Sequence, residues 1–208
     1  QYFASPRQQG AGLINVANAL RNEVVATFKN TDSKGLVNSY GSISLKEIKG
    51  DKKYFTIKLH NTSNRPLTFK VLASAVTTDA LTDRLKLDET YKDEKSPDGK
   101  QIVPEIHPEK VKDANITFEH DTFTIGPNSS FDLNAVINVG EAKNKNKFVE
   151  SFIHFESVEE MEALNSNGKK INFQPSLSMP LMGFAGNWNH EPILDKWAWE
   201  EGSKSKTM

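Results

Sequence analysis

Apolar and polar residues alternate with a spacing of two along most of the chain after residue 40. In residues 53–61 the apolar positions Phe55, Ile57 and Leu59 share one face, and the polar side chains between them share the other. This alternation is typical of a half-buried strand. A second such run, residues 67–75, follows the turn at 63–66. We expect the two runs to form an antiparallel hairpin.

The same pattern recurs in five other segments of the chain. They are residues 43–45, 123–125, 131–139, 149–155 and 177–184. The Gly-Pro-Asn-Ser turn at 126–129 predicts a second hairpin, and Pro180 suits an edge strand or a bulge. About seven short strands separated by turns predict a β-sandwich of immunoglobulin or fibronectin type III character.

The alternation also assigns side chains to a common core or to solvent. We expect eight of them to face one core: Phe55, Ile57, Phe69, Val71, Phe131, Leu133, Ile153 and Phe155. In the strand at 149–155 and just beyond it, the opposite, polar face carries Glu150, His154 and Glu156.

Two segments interrupt the strands, and a short helix precedes them. Asn15 is placed to cap a short N-terminal helix over residues 16–20, and the capping-box pattern Ser-Val-Glu-Glu at 157–160 predicts a short connecting helix over residues 159–164. Residues 79–116 have weak periodicity and predict a long loop that is either functional or mobile. The predicted fold class is therefore mainly β: an antiparallel sandwich with a short N-terminal helix and one short connecting helix.

Composition and charge exclude several function classes. Lys and Arg number 26 against 27 Asp and Glu, so no bulk charge draws the chain to nucleic acid or to an anionic membrane. No apolar run approaches the roughly 20 residues of a membrane-spanning helix. The chain has no cysteine, which excludes disulfides, zinc-thiolate sites and thiol catalysis.

Few residues suggest chemistry. Gly10 and Gly12 begin like a dinucleotide fingerprint, but Asn15 stands where its third glycine belongs. His154 and Glu156 share a strand face and could ligate a metal, although a solvated polar face is the commoner explanation for such a pair. No phosphate-binding loop, nucleophile elbow or zinc-protease motif occurs. We therefore predict no catalytic, cofactor-binding or metal-binding residue and no cofactor.

Two clusters are candidates for binding. The basic run at 143–147 is typical of a solvated hairpin tip, with an anionic partner site as the alternative. The tryptophans Trp188, Trp197 and Trp199 follow the last strand. They favour packing against a neighbouring domain, with a sugar-binding platform as the alternative.

Two stretches carry a family resemblance. SPRQQGAGLINVANAL, residues 5–20, resembles the last helix of a subtilisin-like catalytic domain, although the serine motif G-T-S-M-A, which lies upstream in that family, does not occur in this chain. FTIGPNSSFDLNAVI and MPLMGFAGNWNHEPILDKW resemble the fibronectin type III-like domain next to the protease in lactocepin-type cell-envelope proteinases and complement-cleaving peptidases of Gram-positive surfaces.

The resemblance implies a domain division and a role. Residues 1–23 would be the edge of the catalytic domain, 24–190 the sandwich, and 191–208 a linker toward a following domain. The expected protein is a non-catalytic fragment of an extracellular, cell-wall-associated serine endopeptidase. Its sandwich would contact the rest of the protease, support it and help to shape substrate access, with residues 79–100 as the candidate substrate contact.

Two other function classes stay open. One is an adhesive or carbohydrate-binding sandwich that uses the tryptophans, which sugar-dependent quenching of tryptophan fluorescence would reveal. The other is a complete small hydrolase with an unrecognised site, which an active-site serine probe would label.

Overall fold

The computed structural model describes residues 5–10, 13–31, 34–81, 106–158, 160–164, 170–172 and 174–189. The helices are α1 (Pro6–Gln9) and α2 (Val16–Arg21), with a 3-10 turn at Gly140–Ala142. The strands, in chain order, are β1 (Val24–Thr31), β2 (Val37–Tyr40), β3 (Ile43–Ile48), β4 (Lys52–Asn61), β5 (Leu67–Ala73), β6 (Thr77–Leu81), β7 (Ile106–Lys110), β8 (Asn115–Phe118), β9 (Thr122–Ile125), β10 (Ser130–Asn138), β11 (Lys147–Ser157), β12 (Glu160–Leu164), β13 (Lys170–Asn172) and β14 (Leu177–Ala185).

Two sheets form a sandwich. Sheet one has the strand order β2-β1-β4-β10-β8, and sheet two has the order β3-β14-β11-β5-β9. The paired strands β6 and β7 add to sheet two through the pair Thr77 and Glu150. All neighbours are antiparallel except β3 and β14, which run parallel. The prediction of an all-antiparallel sandwich is wrong at that pair. Most of the chain lies between β3 and β14, so no short turn forces them to run in opposite directions.

The core lies between the sheets, as the alternation predicted. Seven of the eight predicted core side chains are at most 7% exposed, and Phe131 is half-buried against the same cluster. Its ring stacks on that of Phe123 with centroids 4.6 Å apart. Pro180 lies opposite Phe152 of β11, one residue before β14 begins to pair with β3 at Leu181. Its missing N–H therefore costs no hydrogen bond to β3.

Both predicted hairpins are wrong. β4 pairs within sheet one and β5 within sheet two, so the turn at 63–66 crosses between the sheets. The turn at 126–129 likewise connects β9 of sheet two to β10 of sheet one. Turn residues predict a reversal of the chain but not the sheet to which it returns. The two crossings lie together, because the backbone N–H of Asn128 donates to the carbonyl of Ser63 at 2.9 Å.

Asn61 holds these crossings at their base. Its side chain is fully buried, and its Nδ2 donates to the carbonyls of Arg65, Ile125 and Gly126 at 2.7, 3.2 and 3.0 Å. Its Oδ1 accepts from the backbone N–H and the hydroxyl of Ser63. One amide thus satisfies carbonyls from both connections, which a buried backbone requires.

Of the two predicted helices, the N-terminal one is present and the connecting one is not. The N-terminal helix is present as α2, and the Asn15 side chain accepts a hydrogen bond from the N–H of Asn18 at 3.0 Å. The helix predicted at 159–164 is wrong, because residues 160–164 form β12 and pair with β13. The capping-box signal is local, and pairing with a second strand overrides it. A short 3-10 helix instead connects β10 and β11.

The long loop predicted at 79–116 is wrong at both ends. β6 and β7 pair from Thr77 with Lys110 to Leu81 with Ile106, and β8 joins the edge of sheet one. The middle of that segment, 82–105, lies outside the described residues. The candidate substrate contact at 79–100 therefore begins on a strand of sheet two.

Candidate functional site

The outer face of sheet two is unusually apolar. On β11 and β14, the residues that alternate with the core positions point to this face. They include Phe148, Phe152, Met182 and Phe184. Phe152 and Phe184 are only 8% and 7% exposed. A sandwich face turned to solvent ordinarily carries polar side chains. Other parts of the protein therefore cover some of this face. Two features lie on it, an ion pair and a groove.

The first feature is an ion pair between the N-terminal segment and β11. Glu150, predicted on the solvent face, is fully buried, so that prediction is wrong. The Arg7 guanidinium Nε donates to Glu150 Oε1 at 2.5 Å, and the Arg7 backbone N–H donates to Oε2 at 3.1 Å. A buried carboxylate requires such a partner, since the desolvation of an unpaired charge is costly.

Arg7 makes two further contacts. Its second terminal nitrogen pairs with Asp79 of β6, and its guanidinium lies 4.9 Å from the centre of the Phe148 ring. Burial opposes the charge of Arg7, but the hydrogen bonds and charges of Glu150 and Asp79 outweigh it and raise the Arg7 pKa. One side chain therefore connects α1, β11 and the start of the 79–116 segment.

The second feature is a groove of about 680 Å³ beside this ion pair. One wall is aromatic: Trp188 meets Phe148 and Phe184 edge-to-face, with ring centroids 5.6 and 4.9 Å apart. Gly183 also lines the groove, but a Cβ there would point inward, 2.7 Å from the Cδ1 of the core residue Ile48, so this glycine is required by the packing of β14 on the core. Trp188 remains 52% exposed, so the groove opens to solvent along its ring.

The opposite wall of the groove is basic. Lys46, Lys49 and Lys53 line it, together with the carboxylate of Glu47. The Lys53 Nζ donates to the carbonyls of Leu45 and Glu47 at 2.5 and 2.6 Å. Burial, and then the charge of Lys46, lower the pKa of Lys53. Among the described lining residues the cations thus outnumber the anion by three to one.

Glu47 joins the two walls. Its Oε1 accepts the backbone N–H of Trp188 at 2.6 Å, and Lys49 lies 3.3 Å from its Oε2. The Trp188 N–H, followed by Lys49, lowers the pKa of Glu47. This hydrogen bond fixes the turn that places the indole over Phe148 and Phe184. The resulting arrangement suits an extended segment with aromatic and acidic side chains.

A sequence profile described as an Fn3-like domain matches residues 43–182. The chain belongs to the Fn3-like domain family. The PI-type proteinase of Lactococcus lactis subsp. cremoris is 25% identical over 193 residues, and the PII-type proteinase of Lacticaseibacillus paracasei is 26% identical over the same length. Each alignment covers 93% of this Fn3-like domain chain, and the chain spans 8% of the length of these relatives.

Among solved structures, the Fn3-like domain is similar to the ASH/PapD-like domain of human CEP192. The TM-score is 0.45 at 10% identity, covering 85% of this chain and 94% of that one. No helix within the described part of the Fn3-like domain is long and apolar enough to span a membrane.

The two metal candidates of the Fn3-like domain lie on the outer face of sheet two, near the end of β11. The Nε2 of His154 lies 2.9 Å from the Ser74 hydroxyl, and Glu156 is exposed. Among the described residues no group of three or more metal-binding side chains comes together. The solvated polar face predicted for this strand is wrong in its first half, because Phe152 and the buried Glu150 share it, and only Glu156 of the pair is exposed.

The two binding candidates have different surroundings. In the basic run, Lys143 lies 2.6 Å from Asp51, and Asn146 accepts the backbone N–H of Asn187 at 2.9 Å. The run connects the two sheets of the Fn3-like domain and is not a hairpin tip. Of the tryptophans, only Trp188 is described and lines the groove, whereas Trp197 and Trp199 lie outside the described residues.

Sequence reasoning missed Arg7, Glu150 and the lysine wall. A signal was present in β11, where Phe148 and Phe152 alternate with Val149 and Ile153 and make both faces of the strand apolar. A strand with two apolar faces is covered on both sides. The partner of Glu150 had no such signal, since Arg7 lies 143 residues away in the chain.

Proposed function

We propose that this Fn3-like domain adjoins the catalytic domain of a subtilisin-like serine endopeptidase that acts outside the cell at the cell wall. The domain itself is non-catalytic and supports the protease. The observation that carries this proposal is the alignment of 93% of the chain with an 8% portion of the PI-type and PII-type proteinases. On this proposal residues 1–23 belong to the edge of the catalytic domain and 191–208 lead toward a following domain.

The exposure of α2 supports the contact with a catalytic domain. The apolar side chains in and before this helix are left open by the sandwich: Leu13 is 100%, Ile14 92%, Val16 64% and Leu20 83% exposed. A helix of six residues has little stability of its own in water. A neighbouring domain that covers these side chains would stabilise the helix and remove an apolar patch from solvent.

The proposed contribution to substrate access rests on β6. This strand leads from the ion pair of Arg7 and Asp79 into the segment 82–105. Because Arg7 belongs to the N-terminal segment, its ion pair with Asp79 links β6 to the proposed edge of the catalytic domain. We propose that residues 79–100 contact protein substrates as they approach the catalytic domain.

Hydrogen exchange tests the proposal. We expect the amides of residues 16–22 to exchange much faster than those of 55–59 in the 208-residue chain, and to be protected in the intact protease. Slow exchange in the chain alone would assign the helix to the sandwich. Fast exchange in both would mean that no catalytic domain covers it.

A variant pair adds an energetic test. Leu20→Ser is expected to leave the stability of the 208-residue chain unchanged and to lower the thermal stability of the intact protease. Tyr54→Ser is the matched control, because Tyr54 is 78% exposed on sheet one and is expected to be neutral in both proteins. An equal effect of Leu20→Ser in both contexts would contradict the proposed contact.

A further inference from the structure

We propose that residues 190–201 of this chain bind in the groove formed by Phe148, Phe184 and Trp188. In this arrangement Trp197 and Trp199 pack on the aromatic wall, and the acidic side chains of the segment face the lysine wall. The proposal assigns an occupant to the groove from within the same chain. It does not depend on the proposed function.

The first argument is the apolar surface that the groove leaves open. Trp188 is 52% exposed although its ring contacts Phe148 and Phe184, and Met182 lies beside them. Large aromatic surface of this kind is ordinarily covered, since its burial is among the largest favourable contributions to an interface. A segment with two tryptophans supplies the matching surface.

Charge complementarity is the second argument. Lys46, Lys49 and Lys53 stand against a single carboxylate among the described lining residues. Residues 190–201 read HEPILDKWAWEE and carry four acidic side chains against one lysine. An acidic segment on the basic wall is attracted, whereas a basic segment would be repelled.

The third argument is position. Asn189, the last described residue before this segment, lines the groove. Twelve residues in extended form reach about 40 Å, which is far more than the groove requires. A tethered segment also acts at an effective concentration in the millimolar range, so it competes well against a separate partner of similar chemistry.

Disulfide trapping tests the position directly, because the chain has no cysteine of its own. The test variant combines Ser44→Cys, on the groove wall, with Ala198→Cys, between the two tryptophans. The matched control combines Thr122→Cys, exposed on β9 at the other edge of sheet two, with Ala198→Cys. A disulfide requires Cα atoms within about 7 Å.

We expect the groove pair to oxidise within one chain at least ten times faster than the control pair. Equal rates would overturn the proposal. Predominant cross-linking between two chains would overturn it in favour of a second copy as the occupant.

Fluorescence supplies an independent readout that does not need new cysteines. Replacing Trp197 and Trp199 leaves Trp188 as the sole tryptophan. We expect its emission to lie at shorter wavelength in Trp197→Phe/Trp199→Phe, where aromatic packing survives, than in Trp197→Ala/Trp199→Ala. Adding Glu200→Lys/Glu201→Lys to the phenylalanine variant is expected to move the emission back toward longer wavelength.

Identical emission in the phenylalanine and alanine variants would contradict the proposal. A trisaccharide such as cellotriose serves as the probe for a sugar platform. If it quenches Trp188 equally in both variants, the groove is open to glycan and the segment is not its occupant. No effect of the sugar on the phenylalanine variant supports the covered groove.

Discussion

Arg7 and Glu150 lie 143 residues apart in the chain and form an ion pair in which the carboxylate is fully buried. The pair attaches the N-terminal segment to the outer face of sheet two. Arg7 also pairs with Asp79, so the same side chain restrains β6. The pair thus joins the proposed edge of the protease to the proposed substrate contact.

Removing Arg7 is expected to destabilise the fold, because it leaves a buried carboxylate without a cation. We expect Arg7→Ala to lower the free energy of unfolding by about 2 kcal/mol, measured by urea denaturation. The expected loss is smaller than for a fully buried ion pair because the Arg7 side chain is 40% exposed. Arg21→Ala is the matched control, since among the described residues the hydrogen bonds of Arg21 stay within α2, and it is expected to change stability by less than about 0.5 kcal/mol.

A double-mutant cycle isolates the pair. Glu150→Gln keeps the shape of the side chain but removes its charge, so the Arg7→Ala loss is expected to shrink by about 1 kcal/mol or more in that background. Additive losses would mean that the two residues do not interact in solution.

Asn61 is expected to be the most sensitive polar residue of the sandwich. Asn61→Ala removes the buried amide that three carbonyls and Ser63 share, although the Arg65 and Gly126 carbonyls keep the hydroxyls of Ser63 and Ser129 as donors, which predicts a loss of about 2–3 kcal/mol in chemical denaturation. Asn61→Asp is expected to be similarly harmful, because an ionised carboxylate cannot donate to those carbonyls. Asn134→Ala, on the exposed face of β10, is the control. A loss under about 1 kcal/mol for Asn61→Ala would contradict this role.

Alternation along the chain predicted the core but not the path between the sheets. Phe55 and Ile57 face inward because burial on a strand recurs every second residue, which is a local property. The turns after Asn61 and after Ile125 give the same local signal whether the chain stays in one sheet or crosses to the other. The contact that distinguishes them, from Asn61 Nδ2 to the Ile125 carbonyl, spans 64 residues.

The candidate site was less predictable for a related reason. The alternation of Glu150, His154 and Glu156 predicted a polar outer face on β11, although Phe148 and Phe152 on that face were a signal that it is covered. Trp188 was predicted as a binding candidate from its place after the last strand. The lysine wall depends on β3 lying parallel beside β14, a pairing between strands that are far apart in the chain. The sequence of neither strand indicates that the other is its neighbour in the sheet.

The core phenylalanines are expected to differ in their contribution. Phe69→Ala and Phe155→Ala should each cost about 3–5 kcal/mol, since both side chains are fully buried. Phe131 is half-buried, so Phe131→Ala should cost about 1–2 kcal/mol through lost packing on Phe123. Tyr54→Ala, at an exposed position of β4, is the control. Equal losses at Phe131 and Phe69 would contradict the observed difference in burial.

The turn that carries Trp188 is expected to loosen in acid. The Trp188 N–H, and then Lys49, stabilise the ionised form of Glu47 and lower its pKa, so this contact contributes stability above the ordinary glutamate range. The contribution is lost as the pH falls through the lowered pKa, because the protonated carboxyl holds the N–H less strongly. In Trp197→Phe/Trp199→Phe, which retains Trp188 alone, we expect its fluorescence to titrate on the acid side of that range. Adding Glu47→Gln should remove the transition, whereas Glu141→Gln, at an exposed site on the 3-10 turn, should leave it in place. A transition that persists unchanged without the Glu47 carboxylate would show that another group controls the position of Trp188.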